Sequence, residues 1–285
     1  MFVKTRIYER MEKLIRQPGS AGKFYSKQKN ILEREVAVFL ESSKVEKEAN
    51  NVYGLIVPND ELMVCGGVAA RAYRQILDLD IDYVVVISTS LHTYFEEVSL
   101  FKGDAYSTPI GDVNIDKDLV WQLANSNDAL ISSTLGHEMD EHGIEIQLPF
   151  LQQVLYSFKL IPIIMGNQDS ANIDALTTAL SGALKGKNAL IIASSNLSTH
   201  FSREKASVID KNALDYIGNF DASKLNEEFQ EGDIEMNGGG AVITAMNVCK
   251  NLGATKSKVL LYRNSGDMGN STDQVTGYVS AMFYS

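Results

Sequence analysis

Chemistry in this sequence has four histidines to draw on, His92, His137, His142 and His200. Imidazole, with an unperturbed pKa of about 6.5, takes and releases a proton near neutral pH and also ligates metals. His137 and His142 fall in GHEMDEHGIE (136–145), which superficially suggests a metalloprotease helix. The spacing fails, because positions five apart on a helix point about 140° away from each other. A zinc pair needs i and i+4 on one face. What remains is Glu141 beside His142 as an acid–base or hydrogen-bonded pair. The alternative is that Asp140 or Glu141 caps the helix that follows, with His142 packed against a sheet.

His92, in SLHTYF, follows a strongly apolar run and stands where a base or a ligand is useful. SSNLSTHF (194–201) combines hydroxyls, Asn196 and His200 after another apolar run. It lacks a carboxylate and the Gly-x-Ser-x-Gly elbow, which argues against a serine hydrolase. MNGGGAVITAMNV (236–248) is glycine-rich before a helix, and a helix N-terminus can cradle phosphate. It matches neither nucleotide-binding pattern, so close backbone packing is the better reading. NSGDMGNSTDQ (264–274) carries Asp267 and Asp273, six apart and better read as solvated than as metal ligands.

These segments need a frame. Short runs rich in Val and Ile, at 53–58, 83–89, 160–166, 189–195, 258–264 and 277–284, read as strands covered on both faces. Helical patterns lie between them near 26–42, 67–78, 117–126, 144–157, 170–186, 203–218, 221–230 and 240–252, with the glycine pair Gly66–Gly67 at the start of the second. Residues 101–116 have the Gly and Pro punctuation of a loop or hairpin. Without linker or repeat, this alternation implies one α/β domain over 1–285, with a central, largely parallel or mixed sheet flanked by helices. In such sheets ligands bind beyond the carboxyl ends of the strands. PNDE (58–61), STSLHTYF (88–95), SSNLSTHF and NSGDMGNSTD all sit there, which predicts one polar cleft.

Taken together these segments resemble the Memo family, called protein B of the AmmeMemoRadiSam system in prokaryotes. AGKFY (21–25) is similar to its Ala-Gly-x-x-Tyr, and STPIGDVNID (107–116) to its Thr-Pro-Leu-Gly-x-x-x-x-Asp. DEHGIEIQLPF (140–150) is close to Glu-His-Ser-x-Glu-x-Gln-Leu-Pro-Phe. SSNLS (194–198) and SGDMGNSTDQVTGY (265–278) resemble the later family segments. The resemblance implies a fold similar to the class III non-haem iron dioxygenases. It also implies a cleft where two histidines and a cysteine bind a metal, beside an aspartate and a further histidine. At those positions this chain has Asn59, then Leu91 with His92 next door, then Gly238 or its neighbour, with Asn196 and Thr199 for the accompanying pair. Neutral amides and leucine do not replace imidazole and thiolate around iron, copper or zinc. No transition metal is expected, and a hard cation held by Asp60 and Glu61 has little support from their spacing.

The formal net charge of −10 argues against nucleic-acid or anionic-membrane binding. Two cysteines, Cys65 and Cys249, make no disulfide framework, and with no signal-peptide core or long apolar run the expected compartment is the cytoplasm. The basic opening (Lys4, Arg6, Arg10, Lys13, Arg16), interrupted by Glu9 and Glu12, reads as a solvated helix face. The preferred expectation is a metal-free binding or scaffold module. Its cleft (Asn59, Asp60, His92, Glu141, His142, Ser195, Asn196, Thr199, Gly238) would hold a small molecule or a peptide end. The alternative is an enzyme of altered dioxygenase- or hydrolase-like activity using His92, Glu141, His142 and His200. A third reading leaves the cleft residues satisfying one another in a purely structural role.

Overall fold

The computed structural model describes residues 13–43, 49, 51–269 and 271–285. Eleven strands are described: β1 (Ile15–Arg16), β2 (Val52–Val57), β3 (Tyr83–Thr89), β4 (Val98–Phe101), β5 (Ala105–Thr108), β6 (Gly111–Asn114), β7 (Leu130–Ser133), β8 (Lys159–Met165), β9 (Ala189–Ser194), β10 (Lys256–Asn264) and β11 (Gly277–Tyr284). The α-helices are α1 (Lys29–Ser42), α2 (Leu62–Tyr73), α3 (Lys117–Ala124), α4 (Leu148–Val154), α5 (Ser170–Ala183), α6 (Arg203–Gly218), α7 (Ala222–Glu231) and α8 (Gly239–Leu252).

Eight strands form one sheet in the order β10-β11-β2-β9-β3-β8-β4-β7. Its centre, β2-β9-β3-β8, is parallel, while β11 on one side and β4 on the other join it antiparallel. The central strands are buried almost residue by residue, which follows from helices covering both faces. Helices α1, α2 and α4 pack together on one face, and α8, with α5 and α7 against it, covers the other. A small sheet, β1-β5-β6, lies apart, and β5 and β6 are the hairpin expected within 101–116. Helices α3, α5, α6 and α7 each begin at a side chain that accepts a backbone N–H: Asp116, Asp169, Ser202 and Asp221.

Two expectations are corrected here. Gly66 and Gly67 do not start a helix but sit within α2, which begins at Leu62, only a few residues beyond β2. The basic opening is not one solvated face. Lys4, Arg6, Arg10 and the two glutamates lie outside the described residues, whereas Arg16 is buried in β1 and pairs with Glu145. An isolated guanidinium could not be buried; the carboxylate makes it tolerable. No described helix is long and apolar enough to cross a membrane.

Candidate functional site

Because β9 lies between β2 and β3, the loops that leave these strands meet at one end of the sheet. Asn59 follows β2, Asn196 follows β9, and Asn237 precedes α8. The three amides bind one another. Asn237 Nδ2 donates to Asn59 Oδ1 at 3.1 Å. The Asn59 backbone N–H donates to Asn196 Oδ1 at 2.9 Å, and the Asn196 N–H to Asn237 Oδ1 at 2.8 Å. Asn59 Nδ2 reaches the Ser194 carbonyl at 3.2 Å. Asn59 is fully buried and Asn196 nearly so. At this depth such bonds matter chiefly because leaving any member unpaired is costly.

The sequence leaves the family's cysteine position on Gly238 or its neighbour and does not single out Asn237. In the structure the side chain is that of Asn237, one residue back. Gly238 instead closes the backbone: a Cβ there would meet the Ser194 carbonyl at 2.6 Å and Ser195 Cβ at 2.9 Å. The start of α8 is served from outside, with Gly238 N donating to Ser195 Oγ at 3.0 Å and Gly240 N to Gln168 Oε1 at 2.9 Å. Protein groups therefore take two of the backbone N–H donors at this helix start, those of Gly238 and Gly240.

Glu141 does neither thing expected of it. Its buried carboxylate accepts from Ser90 Oγ (2.8 Å), from the Leu91 N–H (2.9 Å) and from the His92 N–H (3.0 Å). It caps the turn after β3; no hydrogen bond joins it to His142, and neither it nor Asp140 caps the next helix, whose first turn has no side-chain cap. Of the two residues at the family's second histidine, Leu91 is half-buried and His92 exposed.

His142 is half-buried, stacked on Phe24 with ring centroids 4.1 Å apart and 23° between planes. Burial pushes its pKa down and the nearby His92 adds to that, while the Asp60 and Glu141 carboxylates and a bond to the Asn59 backbone act the other way. Asp60 accepts from Tyr278 Oη at 2.6 Å and from the Glu61 N–H at 2.7 Å. Tyr278 comes from β11 and carries no signal in the sequence beyond its place in the closing segment. Thr199 turns away to Glu235 Oε1, reached by both its N–H and hydroxyl at 3.2 Å. His200 is exposed with φ +64° and makes no hydrogen bond with this cluster among the described residues. Asp267 and Asp273 are both exposed, as expected, and Asp267 also pairs with Arg203.

The loop bearing His142 is fastened from the N-terminal side. Glu145 accepts from Arg16, Tyr25 Oη, Gly19 N and Ser20 N. Arg16 also donates to the carbonyls of His137, Glu138 and Glu141. His137 is a separate, buried group: Tyr106 Oη lies 2.6 Å from its Nδ1, and the Ser99 carbonyl 3.2 Å from its Nε2. The carbonyl can only accept, so Nε2 carries the proton and Nδ1 accepts from the tyrosine. Burial pushes the His137 pKa down to about 3.

Among the described residues no three His, Cys, Asp or Glu side chains gather in a way that could hold a metal ion. Of the positions where the resemblance places imidazole and thiolate, the first and the last hold Asn59 and Asn237, bonded to each other, and the second holds Leu91, with His92 exposed beside it. Neutral amide oxygens are poor partners for iron, copper or zinc, so this donor set does not fit a transition metal.

The family model described as "Memo: Memo-like protein" matches residues 16–282. A MEMO1 family protein of Methanobrevibacter smithii is 32% identical over 282 residues, covering 95% of this chain and 100% of its own. Another from Methanosarcina mazei is 32% identical over 269 residues, covering 93% and 98%. A solved chain, an uncharacterized Escherichia coli K12 protein, aligns with a TM-score of 0.45 at 12% identity over 80% of this chain and 99% of its own, too distant to bear on function. With a family model spanning nearly all of its length and relatives matched end to end, this chain belongs to the Memo family.

Proposed function

We propose that this Memo-family protein works without a transition metal, as a binding or scaffold module over a degenerate dioxygenase-like cleft. The observation that carries the reading is the closed ring of amides, Asn59–Asn196–Asn237, at the ends of β2 and β9 and the start of α8. A ring that ties up the side-chain oxygens of all three asparagines gives the floor of the cleft a fixed shape and leaves no imidazole or thiolate there for a cation. The rim is different in kind. Exposed His92, half-buried His142 and half-buried Asp60 offer a small molecule or a peptide end both donors and acceptors.

Metal analysis of protein purified without a metal-affinity step tests this. Iron, copper and zinc far below one per chain is the expected result. A stoichiometric metal, lost on Asn59→Ala or His92→Ala, overturns the proposal.

A second reading is favoured by His142. With its pKa lowered, the ring is neutral at pH 7, the form a general base requires, and the carboxylates of Asp60 and Glu141 are near enough to stabilise the protonated ring. Glu141 would act by its charge, since its oxygens hold the 90–92 turn. Turnover of ester or catechol-like substrates that disappears in His142→Ala would put this reading first.

A further inference from the structure

Helix α1 has two apolar faces. One, Leu32, Val36 and Leu40, is buried, and α1 packs on α2 and α4. On the other, Ile31 and Val38 are 43% and 51% exposed, and Met63 from the first turn of α2 stands beside them at 68%. With Phe39 these residues line a groove of about 500 Å³. Scattered apolar side chains on a surface need no explanation, but a contiguous set on a helix face that lacks a partner does.

The charges on that face identify the partner. Ile31, Arg34, Glu35 and Val38 follow i, i+3, i+4, i+7 spacing, so they form one stripe. Ile31 and Val38 are placed symmetrically about the midpoint between Arg34 and Glu35. Neither Arg34 nor Glu35 makes an ion pair among the described residues. A two-fold axis through that midpoint, perpendicular to the helix, lays α1 antiparallel on its own copy. Ile31 then meets Val38 of the partner subunit, and Arg34 meets the partner's Glu35, each contact occurring twice. Such self-complementarity is what an isologous interface requires. An anionic lipid surface fits poorly, because α1 carries three glutamates, Glu33, Glu35 and Glu41, against two basic residues, Lys29 and Arg34.

We propose that the exposed face of α1, with Met63 at its flank, is a homodimer interface built on an antiparallel α1–α1 contact through Ile31, Arg34, Glu35 and Val38. A single helix pair is at the small end of stable interfaces, so the dimer dissociates in the micromolar range.

Sedimentation velocity over roughly 1 to 100 µM chain reads the association directly. The wild-type protein is expected to shift from monomer to dimer across this range, and Val38→Asp to remain monomeric. Arg34→Glu or Glu35→Lys alone places like charges opposite each other twice and weakens association by about tenfold or more. The double variant Arg34→Glu/Glu35→Lys restores opposite signs across the axis and returns association to within about threefold of wild type. The substituted side chains lie outside the core, and far-UV circular dichroism confirms that each variant folds. A wild-type protein monomeric throughout, a dimer indifferent to Val38→Asp, or a double variant no better than the single reversals each overturns the proposal.

Discussion

Lowering the pH from 7 to 5 should cost this protein stability through His137, and the amount follows from its surroundings. The ring is buried between Tyr106, which donates to Nδ1, and the Ser99 carbonyl, which accepts from Nε2. Protonating Nδ1 would remove the acceptor of the tyrosine's O–H and add a charge beside Phe101 and the Arg16 guanidinium. The folded pKa, about 3, therefore lies below the unfolded value of 6.5. Between those two values the unfolded chain binds more protons than the folded one, so stability rises with pH there. It is fully present above pH 6.5 and lost as the pH falls toward 3. Working the linkage from pH 7 to pH 5 gives a loss of about 2 kcal/mol from this one group. Urea denaturation at both pH values measures it, and His137→Gln isolates it, since glutamine can donate and accept in the same place without titrating. Each protein is compared with itself at the two pH values, so any general destabilisation by the substitution cancels. The wild type should lose about 2 kcal/mol more than the variant over this interval. If the two lose the same amount within about 0.5 kcal/mol, His137 titrates normally in the fold and the burial argument fails.

Three other outcomes follow. A Cβ at Gly143 would stand 2.0 Å from Ser88 Oγ, whose hydroxyl is buried without a partner; Gly143→Ala should cost about 1–3 kcal/mol, and Ser88→Gly/Gly143→Ala should recover most of that in denaturant melts, whereas simple additivity would refute the contact. Asn237→Ala leaves the Asn196 N–H and Asn59 Oδ1 unpaired; a loss of about 1–3 kcal/mol is expected, and an unchanged unfolding midpoint would show that the amide ring holds nothing together. Phe24→Ala uncovers the His142 ring; since burial is the leading cause of its lowered pKa, NMR titration should show that pKa moving up toward about 6.5, and no movement would mean that the stack does not control hydration of the ring.

The central sheet was legible because β2, β3, β8 and β9 are buried on both faces and so read as unbroken apolar runs. Shorter strands carry less pattern. LISS at β7 and VSLF at β4 are four residues each and were passed over. In α2 the glycine pair suggested a start, but packing of the helix on β2, β10 and β11 decides where it runs. That Asn59, Asn196, Glu141 and His142 lie at one end of the sheet was legible from strand-end position and family motifs. Their roles were not: Glu141 holds a neighbouring loop and His142 a phenylalanine.

By itself the sequence determined the layered α/β architecture and the family. Apolar periodicity and residue chemistry are local properties, and both survive in a one-dimensional reading. Only the tertiary structure decided that Asn237 rather than Gly238 closes the amide ring, that Arg16 is buried against Glu145, and that Tyr278 reaches Asp60. Each of these pairs joins segments more than a hundred residues apart. Which hydrogen bonds a buried polar group makes depends on who arrives beside it, and strand order settles that.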